Sequence, residues 1–166
     1  MPPAWRYQCR QYWVQKIGSR FGAHPTVRRY NSSRVFETFP FPEGLTLDIP
    51  ANKAKSNPHA ETIAIAARAL VEARDRWLNP PEWVEWVTTK EGKASSFPAR
   101  PVAKPGHEAD LAGRTIAALC NEKPAWLVAL QEDLDRAVAK AYGWDWPMER
   151  AEVLKRLLEL NLARSE

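Results

Sequence analysis

The stretch "NPHAETIAIAARALVEARDRWLNPP", residues 57–81, decides the fold class because it has the pattern of one long helix. Asn57 is a good N-cap, and Pro58 suits the first helical position, where no backbone N–H is needed. Glu61 lies in the positively polarised first turn, and Pro80 ends the helix. The residues that share one face at helical spacing are Ile63, Ala66, Ala67, Leu70, Ala73 and Trp77. The stretch therefore predicts a helix over about residues 58–78.

The chain after this helix continues mainly with helical patterns. The expected elements are, in order, a short helical turn at 82–87, a mobile loop at 88–106, and helices at about 107–121, 124–142 and 148–163. Gly143 is a natural C-terminal cap, and the last two helices are expected to pack as an antiparallel pair. No strand–helix–strand alternation occurs. The predicted fold is therefore mainly α, with a C-terminal bundle of about four helices in a domain of residues 58–166.

The chain before the long helix lacks this pattern. In residues 1–42, "RYQCRQYWVQKI" (6–17) fits either a helix or a pair of strands. "TVRRYNSSRVFETF" (26–39) predicts extended backbone with a turn at residues 31–33. Prolines in residues 43–57 favour extended, irregular backbone. We therefore predict a basic, partly extended segment and a Pro-rich connector ahead of the helical domain.

Positive charge is concentrated at the N-terminal end. The net charge is +4, but residues 1–36 hold seven cations and no acid, and the other 130 residues hold 17 basic and 20 acidic residues. Cations interleaved with aromatics can neutralise phosphates and stack on bases, and Arg and Asn can read base edges. The residues predicted to contact DNA are Arg20, Arg28, Arg29, Tyr30, Asn31 and Arg34. The alternative is a basic surface that aids solubility or docks on an acidic partner domain.

Several classes of protein are excluded by the same sequence. The apolar runs are too short and too interrupted by charge to span a bilayer, and the N-terminus lacks a signal-peptide core, so we expect a cytoplasmic protein. Two cysteines, Cys9 and Cys120, do not make a disulfide framework. The histidines His24, His59 and His107 are widely spaced and far from either cysteine, so no metal site is predicted.

Asn79-Pro80-Pro81 matches three positions of the tetrapeptide with which amino-group DNA methyltransferases hold a flipped base. In that tetrapeptide the Asn side chain and a proline carbonyl accept hydrogen bonds from the base, and a following aromatic residue stacks on it. Glu82 stands at the aromatic position here. The preceding residues are strongly helical, whereas the catalytic motif follows a parallel strand. We therefore predict that the motif ends a helix.

No other catalytic pattern is present. The seven glycines are never closer than four residues apart, so they do not form the loop that admits a methyl-donor cofactor. The serines lack a nucleophile-elbow setting. Glu132 and Asp135, three apart in "QEDLD" (131–135), are expected on a solvated helix face. We predict no catalytic, cofactor-binding or metal-binding residue, and no enzymatic activity of this chain.

Four blocks of the sequence resemble, in the same order, the C-terminal end of MmeI-like DNA methyltransferases. They are "RYNSSRVFETFPFPEGL" (29–45), "IAIAARALVEARDRWLNPPEW" (63–83), "NEKPAWLVALQEDLDRAVAKAYGW" (121–144) and "VLKRLLELNLAR" (153–164). The resemblance covers about residues 20–164. Its most specific parts are "FETFPFP" (36–42), "RDRWLNPPEW" (74–83) and "AYGW" (141–144).

The resemblance implies what this chain does, through the known activity of the family. These are large bacterial restriction–modification enzymes that methylate adenine with S-adenosyl-methionine, using a core that lies upstream of the region present here. Residues 28–34 would end a target-recognition domain, followed by a helical C-terminal domain. We therefore expect a non-catalytic DNA-contacting or scaffold module whose partners are DNA and a methyltransferase core. The alternative is a helical protein-interaction or structural module, or a truncated remnant, with no DNA role.

Overall fold

The structure, a computed structural model, describes residues 8–21, 24–29, 32–46, 48–88 and 99–164. In these ranges it contains seven α-helices, one π-helical turn and two separate two-stranded antiparallel sheets. The predicted mainly α fold is confirmed. The chain divides into two compact units, residues 1–66 with 131–166 and residues 67–130. The predicted division at residues 42 and 57 stays a prediction.

The first unit contains the basic segment and the last helix. Its elements are α1 (Gln8–Ile17), β1 (Ser19–Phe21), β2 (His24–Arg29), the π-helical turn (Ser32–Phe36), α2 (Ala51–Lys55), the start of α3 (Pro58–Leu78), the end of α6 (Ala125–Ala141) and α7 (Arg150–Ala163). Residues 6–17, where helix and strands were both open, contain α1. The extended backbone predicted from residue 26 is confirmed as far as β2. A π-helical turn replaces the expected turn at Ser32 and Ser33, and the connector includes a short helix.

The core of the first unit joins the basic segment to the last helix. Trp13 of α1, Val35 of the π-helical turn, and Val153 and Leu157 of α7 form one cluster in which no residue is more than 2% exposed. Val153 and Leu157 are one helical turn apart and share a face. The main helix contact of α7 is therefore with α1. The predicted pairing of α7 with the preceding helix is wrong in this respect.

The helix α3 begins and ends where the sequence predicts. Asn57 caps it, because its Oδ1 accepts a hydrogen bond from the His59 N–H at 2.9 Å. Asn57 Nδ2 also donates to the Gly44 carbonyl at 3.4 Å. Gly44 has a φ of +74°, and a Cβ there would lie 2.9 Å from the Asn57 amide, so glycine suits this close turn. The connector is thereby joined to the first turn of α3.

The second unit includes strands that the sequence did not predict. It contains the rest of α3, then β3 (Val84–Thr88), β4 (Ala99–Ala103), α4 (Glu108–Ala112), α5 (Ile116–Glu122) and the start of α6. The helical turn predicted at 82–87 is wrong, because β3 pairs antiparallel with β4. Valine, tryptophan and threonine favour a pleated strand when a partner is available. A loop was predicted at 88–106, but residues 99–103 of this range form β4, so the prediction is wrong there. Residues 89–98 lie outside the described residues.

The helix predicted over 107–121 is divided in two. Thr115 has extended backbone between α4 and α5, and its hydroxyl accepts a hydrogen bond from the Ala118 N–H at 3.0 Å. A threonine in this position caps the start of a new helix. In the described ranges the longest helix is α3, whose 21 residues carry charges along their length, and no helix has the length and apolar character of a membrane span.

Candidate nucleic-acid interface

The two strands of the basic segment form a short antiparallel ribbon, which we call the basic ribbon (β1 and β2). Arg20 lies opposite Arg28 and Ser19 lies opposite Arg29, with a register shift between Arg20 and Phe21. Directly opposite positions share one face of an antiparallel ladder, and like charges placed there disfavour pairing. Neutralisation of these two positions by an anionic partner would therefore stabilise the ribbon.

The other predicted DNA contacts follow the ribbon. Arg34 lies in the π-helical turn, next to Val35, which is fully buried. Tyr30 and Asn31 lie outside the described residues. The backbone is described at the four predicted arginines, Arg20, Arg28, Arg29 and Arg34. Of the six predicted residues, the strand register brings Arg20 and Arg28 together, and a DNA contact stays a prediction for all six.

The basic ribbon is flanked on both sides by residues buried in the core of the first unit. Trp13 precedes the ribbon, is 1% exposed, and donates from Nε1 to Thr38 Oγ1 at 3.3 Å. Val35 follows the ribbon and packs in the same cluster as Leu157 of α7. Burial of large apolar side chains stabilises each of these attachments by roughly 1.5–3 kcal/mol. The position of the ribbon therefore depends on the last helix of the chain.

Three side chains from the C-terminal part hold the backbone of residues 36–42. The bonds run from Asn161 Nδ2 to the Thr38 carbonyl at 2.7 Å, from the Tyr142 hydroxyl to the Pro40 carbonyl at 2.9 Å, and from the Arg164 guanidinium to the Phe41 carbonyl at 2.7 Å. We call Tyr142, Asn161 and Arg164 the C-terminal clamp. Irregular backbone needs such donors for its carbonyls. Two sequence blocks of the resemblance, 36–42 and 141–144, are thus in direct contact.

The turn that ends α6 places Tyr142 for this contact. Gly143 has a φ of 69°, its N–H donates to the Lys140 carbonyl at 3.0 Å, and the Trp144 N–H donates to the Ala139 carbonyl at 2.9 Å. This bond pair ends a helix through a left-handed residue, for which glycine is suited. The predicted cap at Gly143 is confirmed. Trp144 stacks on Tyr142 with ring centroids 4.4 Å apart, which restricts the tyrosine ring.

Within the second unit, Trp83 packs against side chains of the protein. Its ring stacks on His107 at 5.7 Å between centroids, and the Arg114 guanidinium lies 5.0 Å from its centroid. The same guanidinium lies 4.5 Å from the ring of Trp77. A guanidinium close to an indole face is attracted by the ring quadrupole. We call Trp77, Trp83, His107 and Arg114 the tryptophan–arginine cluster.

Asn79 and Pro80 end α3. The Asn79 N–H donates to the Asp75 carbonyl at 2.8 Å, which continues the helical pattern by one residue. The Asn79 side-chain amide also points to that carbonyl, at 3.4 Å. Pro80 is buried and Glu82 is exposed. The prediction that this motif ends a helix is therefore confirmed.

One acidic residue does not lie where the sequence predicts. Asp135 on α6 is 8% exposed, and its Oδ2 has no hydrogen-bond partner among the described residues. Burial, and then the nearby charge of Glu132, raises the pKa of Asp135 to about 8. Glu132 is exposed as expected, but the solvated position predicted for Asp135 is wrong. Among the described residues, no cluster of His, Cys, Asp and Glu has the arrangement of a metal site.

The fold of the chain is similar to part of a solved protein. The chain superposes with a TM-score of 0.53 on part of the type IIL restriction-modification enzyme MmeI, solved in complex with DNA. The match has 18% sequence identity and covers 95% of this chain and 15% of the MmeI chain, so this chain spans a small part of MmeI's length. At this identity the likeness establishes a shared fold. No protein-family model and no curated protein matches the chain.

Sequence reasoning missed the C-terminal clamp. Asn161 and Thr38 are 123 residues apart in the chain, and Tyr142 and Pro40 are 102 apart. No local pattern indicates such a contact. One feature of the sequence was compatible with this contact. The blocks 36–42 and 141–144 are both among the most specific parts of the resemblance.

Proposed function

We propose that this chain is a non-catalytic, DNA-contacting module of a restriction–modification methyltransferase. The observation that carries the proposal is the position of Arg20 directly opposite Arg28 in the basic ribbon. Two cations in these positions repel each other, and neighbouring phosphates of a duplex would neutralise both. The fold shared with part of MmeI, an enzyme solved with DNA, supports the same proposal.

The charge around the ribbon is suited to a polyanion. The first acidic residue of the chain is Glu37, so seven cations precede any carboxylate in the sequence. Salt-dependent attraction to phosphates is the expected result, since each neutralised phosphate releases condensed counterions. Arg28 and Arg29 are adjacent on β2 and lie on opposite faces of the ribbon. We propose that one face of the ribbon contacts phosphates and that the other face contacts base edges.

In this proposal the helices support the ribbon and carry out no chemistry. The core around Trp13 and Leu157, together with the C-terminal clamp, supports the segments on either side of the ribbon. Methyl transfer from S-adenosyl-methionine belongs to a methyltransferase core that acts with this module. The module is proposed to add affinity and target choice to that core.

DNA binding tests the proposal through the double variant Arg28→Ala/Arg29→Ala. Fluorescence anisotropy with a labelled duplex, repeated over a salt series, gives the slope of log affinity against log salt. The wild type is expected to lose affinity steeply with salt. The variant is expected to bind at least about tenfold more weakly at low salt, with a slope smaller by about 1, because one of the two arginines is proposed to contact a phosphate and the other a base edge.

The matched control is Arg68→Ala/Lys155→Ala, which removes the same charge from two exposed helix positions. Its slope should remain close to that of the wild type. Equal losses in the two variants would show that net charge alone attracts DNA. Absent or salt-independent binding by the wild type would overturn the proposal and favour a helical protein-interaction module.

A methylation assay tests the non-catalytic role. Labelled S-adenosyl-methionine and DNA are incubated with this chain, with an MmeI-like methyltransferase core that lacks its C-terminal region, and with both. Label should enter DNA only in reactions that contain the core. Adding this chain to the core should increase the amount of label incorporated. Methyl transfer by the chain alone would contradict the proposed role.

A further inference from the structure

A groove within the first unit lies between the connector and the ends of the last two helices. Its volume of ≈ 510 Å³ falls in the range of roughly 300–1,000 Å³ that small-ligand pockets occupy. The polar and aromatic side chains that line it belong to Glu43, His59, Lys140, Tyr142, Trp144 and Arg164. The proposed DNA contact of the basic ribbon uses none of these residues.

Two cations and one carboxylate lie at this groove. Lys140 is in the last turn of α6, and Arg164 directly follows α7. Both are exposed, and among the described residues neither forms an ion pair with Glu43 or with another acid. The Arg164 guanidinium donates to a neutral group, the Phe41 carbonyl. Both cations therefore keep N–H donors and positive charge that suit an anionic group such as a phosphate.

An aromatic pair lines the same groove. The rings of Tyr142 and Trp144 are stacked, with centroids 4.4 Å apart and an angle of 18° between their planes. Tyr142 is also fixed through its hydroxyl, which donates to the Pro40 carbonyl at 2.9 Å. Side chains that are already fixed lose little entropy on binding, and bases of every kind stack on aromatic rings. The groove thus combines a surface for a planar ring with donors for an anion.

A neighbouring groove at the start of α3 lacks this combination. It is larger, at ≈ 710 Å³, and shares Gly44 and His59 with the first groove. It also contains Lys53 and Asp48, one charge of each sign, and among the described residues no Tyr, Trp or Phe lines it. The ring surface and the excess of positive charge therefore distinguish the groove beside Tyr142, whereas size does not.

We propose that the groove beside Tyr142, which we call the nucleotide groove, binds one nucleotide. The base lies against the Tyr142–Trp144 pair, and the phosphate accepts hydrogen bonds from Lys140 and Arg164. The inference rests on the proposed function for one point only, the source of the nucleotide. That source is an unpaired position of the bound DNA or a free nucleotide.

NMR titration of the isotope-labelled full chain with deoxyadenosine monophosphate (dAMP) tests the proposal. Saturable shifts are expected at the Lys140, Gly143 and Trp144 amides and at the Trp144 indole N–H. Deoxyadenosine and inorganic phosphate each contain one half of the ligand. Each should bind at least about tenfold more weakly than dAMP, because it lacks either the phosphate contact or the stacking contact.

The variants change Lys140 and Glu43, because Tyr142 and Arg164 also belong to the C-terminal clamp. Lys140→Ala should weaken dAMP binding about tenfold through the loss of a charge-assisted hydrogen bond. Glu43→Gln should strengthen dAMP binding about two- to fivefold, since the carboxylate no longer repels the phosphate. Lys53→Ala, the matched control in the neighbouring groove, should bind dAMP like the wild type.

A cation at the end of a helix also offsets the partial negative charge of the last carbonyls. If this is the whole role of Lys140, Lys140→Ala lowers the melting temperature and leaves dAMP binding unchanged, which would overturn the proposal. Equal losses of dAMP affinity in Lys140→Ala and Lys53→Ala, or no saturable shift at Lys140 and Trp144, would overturn it as well. Tighter binding of the dipeptide aspartyl-phenylalanine than of dAMP would instead assign the groove to an acidic peptide.

Competition experiments identify the source of the nucleotide. If it is an unpaired position of DNA, a duplex with a single-stranded overhang should displace dAMP and a blunt duplex should not. If neither duplex displaces dAMP, the ligand is a free nucleotide. Arg28→Ala/Arg29→Ala should leave dAMP binding unchanged, so a failure of the ribbon contact and a failure of the nucleotide groove are separate results.

Discussion

The two β-ribbons of this protein differ in the surroundings of their cations. In the basic ribbon, Arg20 and Arg28 occupy opposing positions, and no acidic residue precedes Glu37 in the sequence. In the second unit, Arg114 lies against two tryptophan rings, and Lys104 Nζ donates to the Pro81 carbonyl at 2.8 Å. These two cations of the second unit thus contribute to the fold itself. In the basic ribbon, we propose that a ligand supplies the countercharge.

The packing of the second unit also shows that a sequence motif can be specific to a family without forming a functional site. The block around Asn79 is among the most specific parts of the resemblance, yet Trp83 packs in the tryptophan–arginine cluster and Asn79 bonds to its own helix. Such internal contacts depend on particular side chains. The motif therefore identifies a structural requirement of the second unit.

The largest expected effect comes from Leu157→Ala, which removes a fully buried side chain next to Val35. Loss of transfer free energy plus the cavity should lower the free energy of unfolding by about 2–5 kcal/mol, as measured by urea denaturation. DNA affinity should fall with it if the core holds the basic ribbon. Leu162→Ala, on the same helix at 65% exposure, should change stability by less than about 0.5 kcal/mol. Equal losses in the two variants would contradict the packing.

Asp135→Asn is expected to stabilise the protein above neutral pH. The folded-state pKa of about 8 lies above the ordinary value of 3.8, so the folded state holds a proton that the unfolded chain has released. Stability from this group is therefore present below pH 4 and is lost as the pH rises towards 8. The gain on substitution should grow over this window, to about 1–3 kcal/mol, because Asn stays neutral where the carboxyl has to ionise in a buried site.

Thermal unfolding at pH 5 and pH 8 measures this gain. Asp133→Asn, the same chemical change at an exposed position of α6, is the control and should show no growing benefit with pH. A pH-independent difference between wild type and Asp135→Asn would show that the carboxyl titrates normally.

Arg114→Ala tests the structural role of the second unit's cation. Loss of the contacts with Trp77 and Trp83 should cost roughly 0.5–2 kcal/mol in the free energy of unfolding. DNA affinity should change no more than in Arg68→Ala, since the proposed contact lies in the basic ribbon. A loss of DNA affinity as large as that of the Arg28→Ala/Arg29→Ala variant would remove the contrast between the two regions.

The smallest effect is expected from Asn161→Ala, which removes one bond of the C-terminal clamp. The loss of stability should be about 0.5–1.5 kcal/mol, as usual for one hydrogen bond. DNA affinity should fall slightly with unchanged salt slope, because the number of phosphate contacts stays the same. Asn121→Ala, at an exposed position of α5, should leave both quantities unchanged.

Local signals accounted for the parts of the fold that were predicted correctly. Asn57, Pro58 and Pro80 delimit α3, and Gly143 ends α6, because capping and proline chemistry act within a few residues. The β3 strand was missed because tryptophans at 83 and 86 also fit a helical turn. Its strand partner begins at Ala99, and pairing over that separation leaves no local pattern.

The candidate site shows the same division. Residues 1–36 could be recognised as basic from composition alone, and Arg20 and Arg28 were predicted from charge and neighbouring aromatics. Their opposition in one ribbon depends on a strand register with a shift at Arg20–Phe21, which the sequence pattern did not indicate. The burial of Asp135 was also not predicted. Helical spacing shows which face of the helix a residue lies on, but not whether other parts of the chain cover that face.

By itself the sequence determined the mainly α fold, the ends of its long helix, and the concentration of positive charge before residue 37. These follow from interactions between near neighbours and from composition. Only the tertiary structure decided that α7 packs on α1, that the C-terminal clamp holds residues 36–42, and that Trp83 packs against Arg114 and His107. The physical reason is that burial and hydrogen bonding between distant residues depend on how the whole chain packs, which no short stretch specifies.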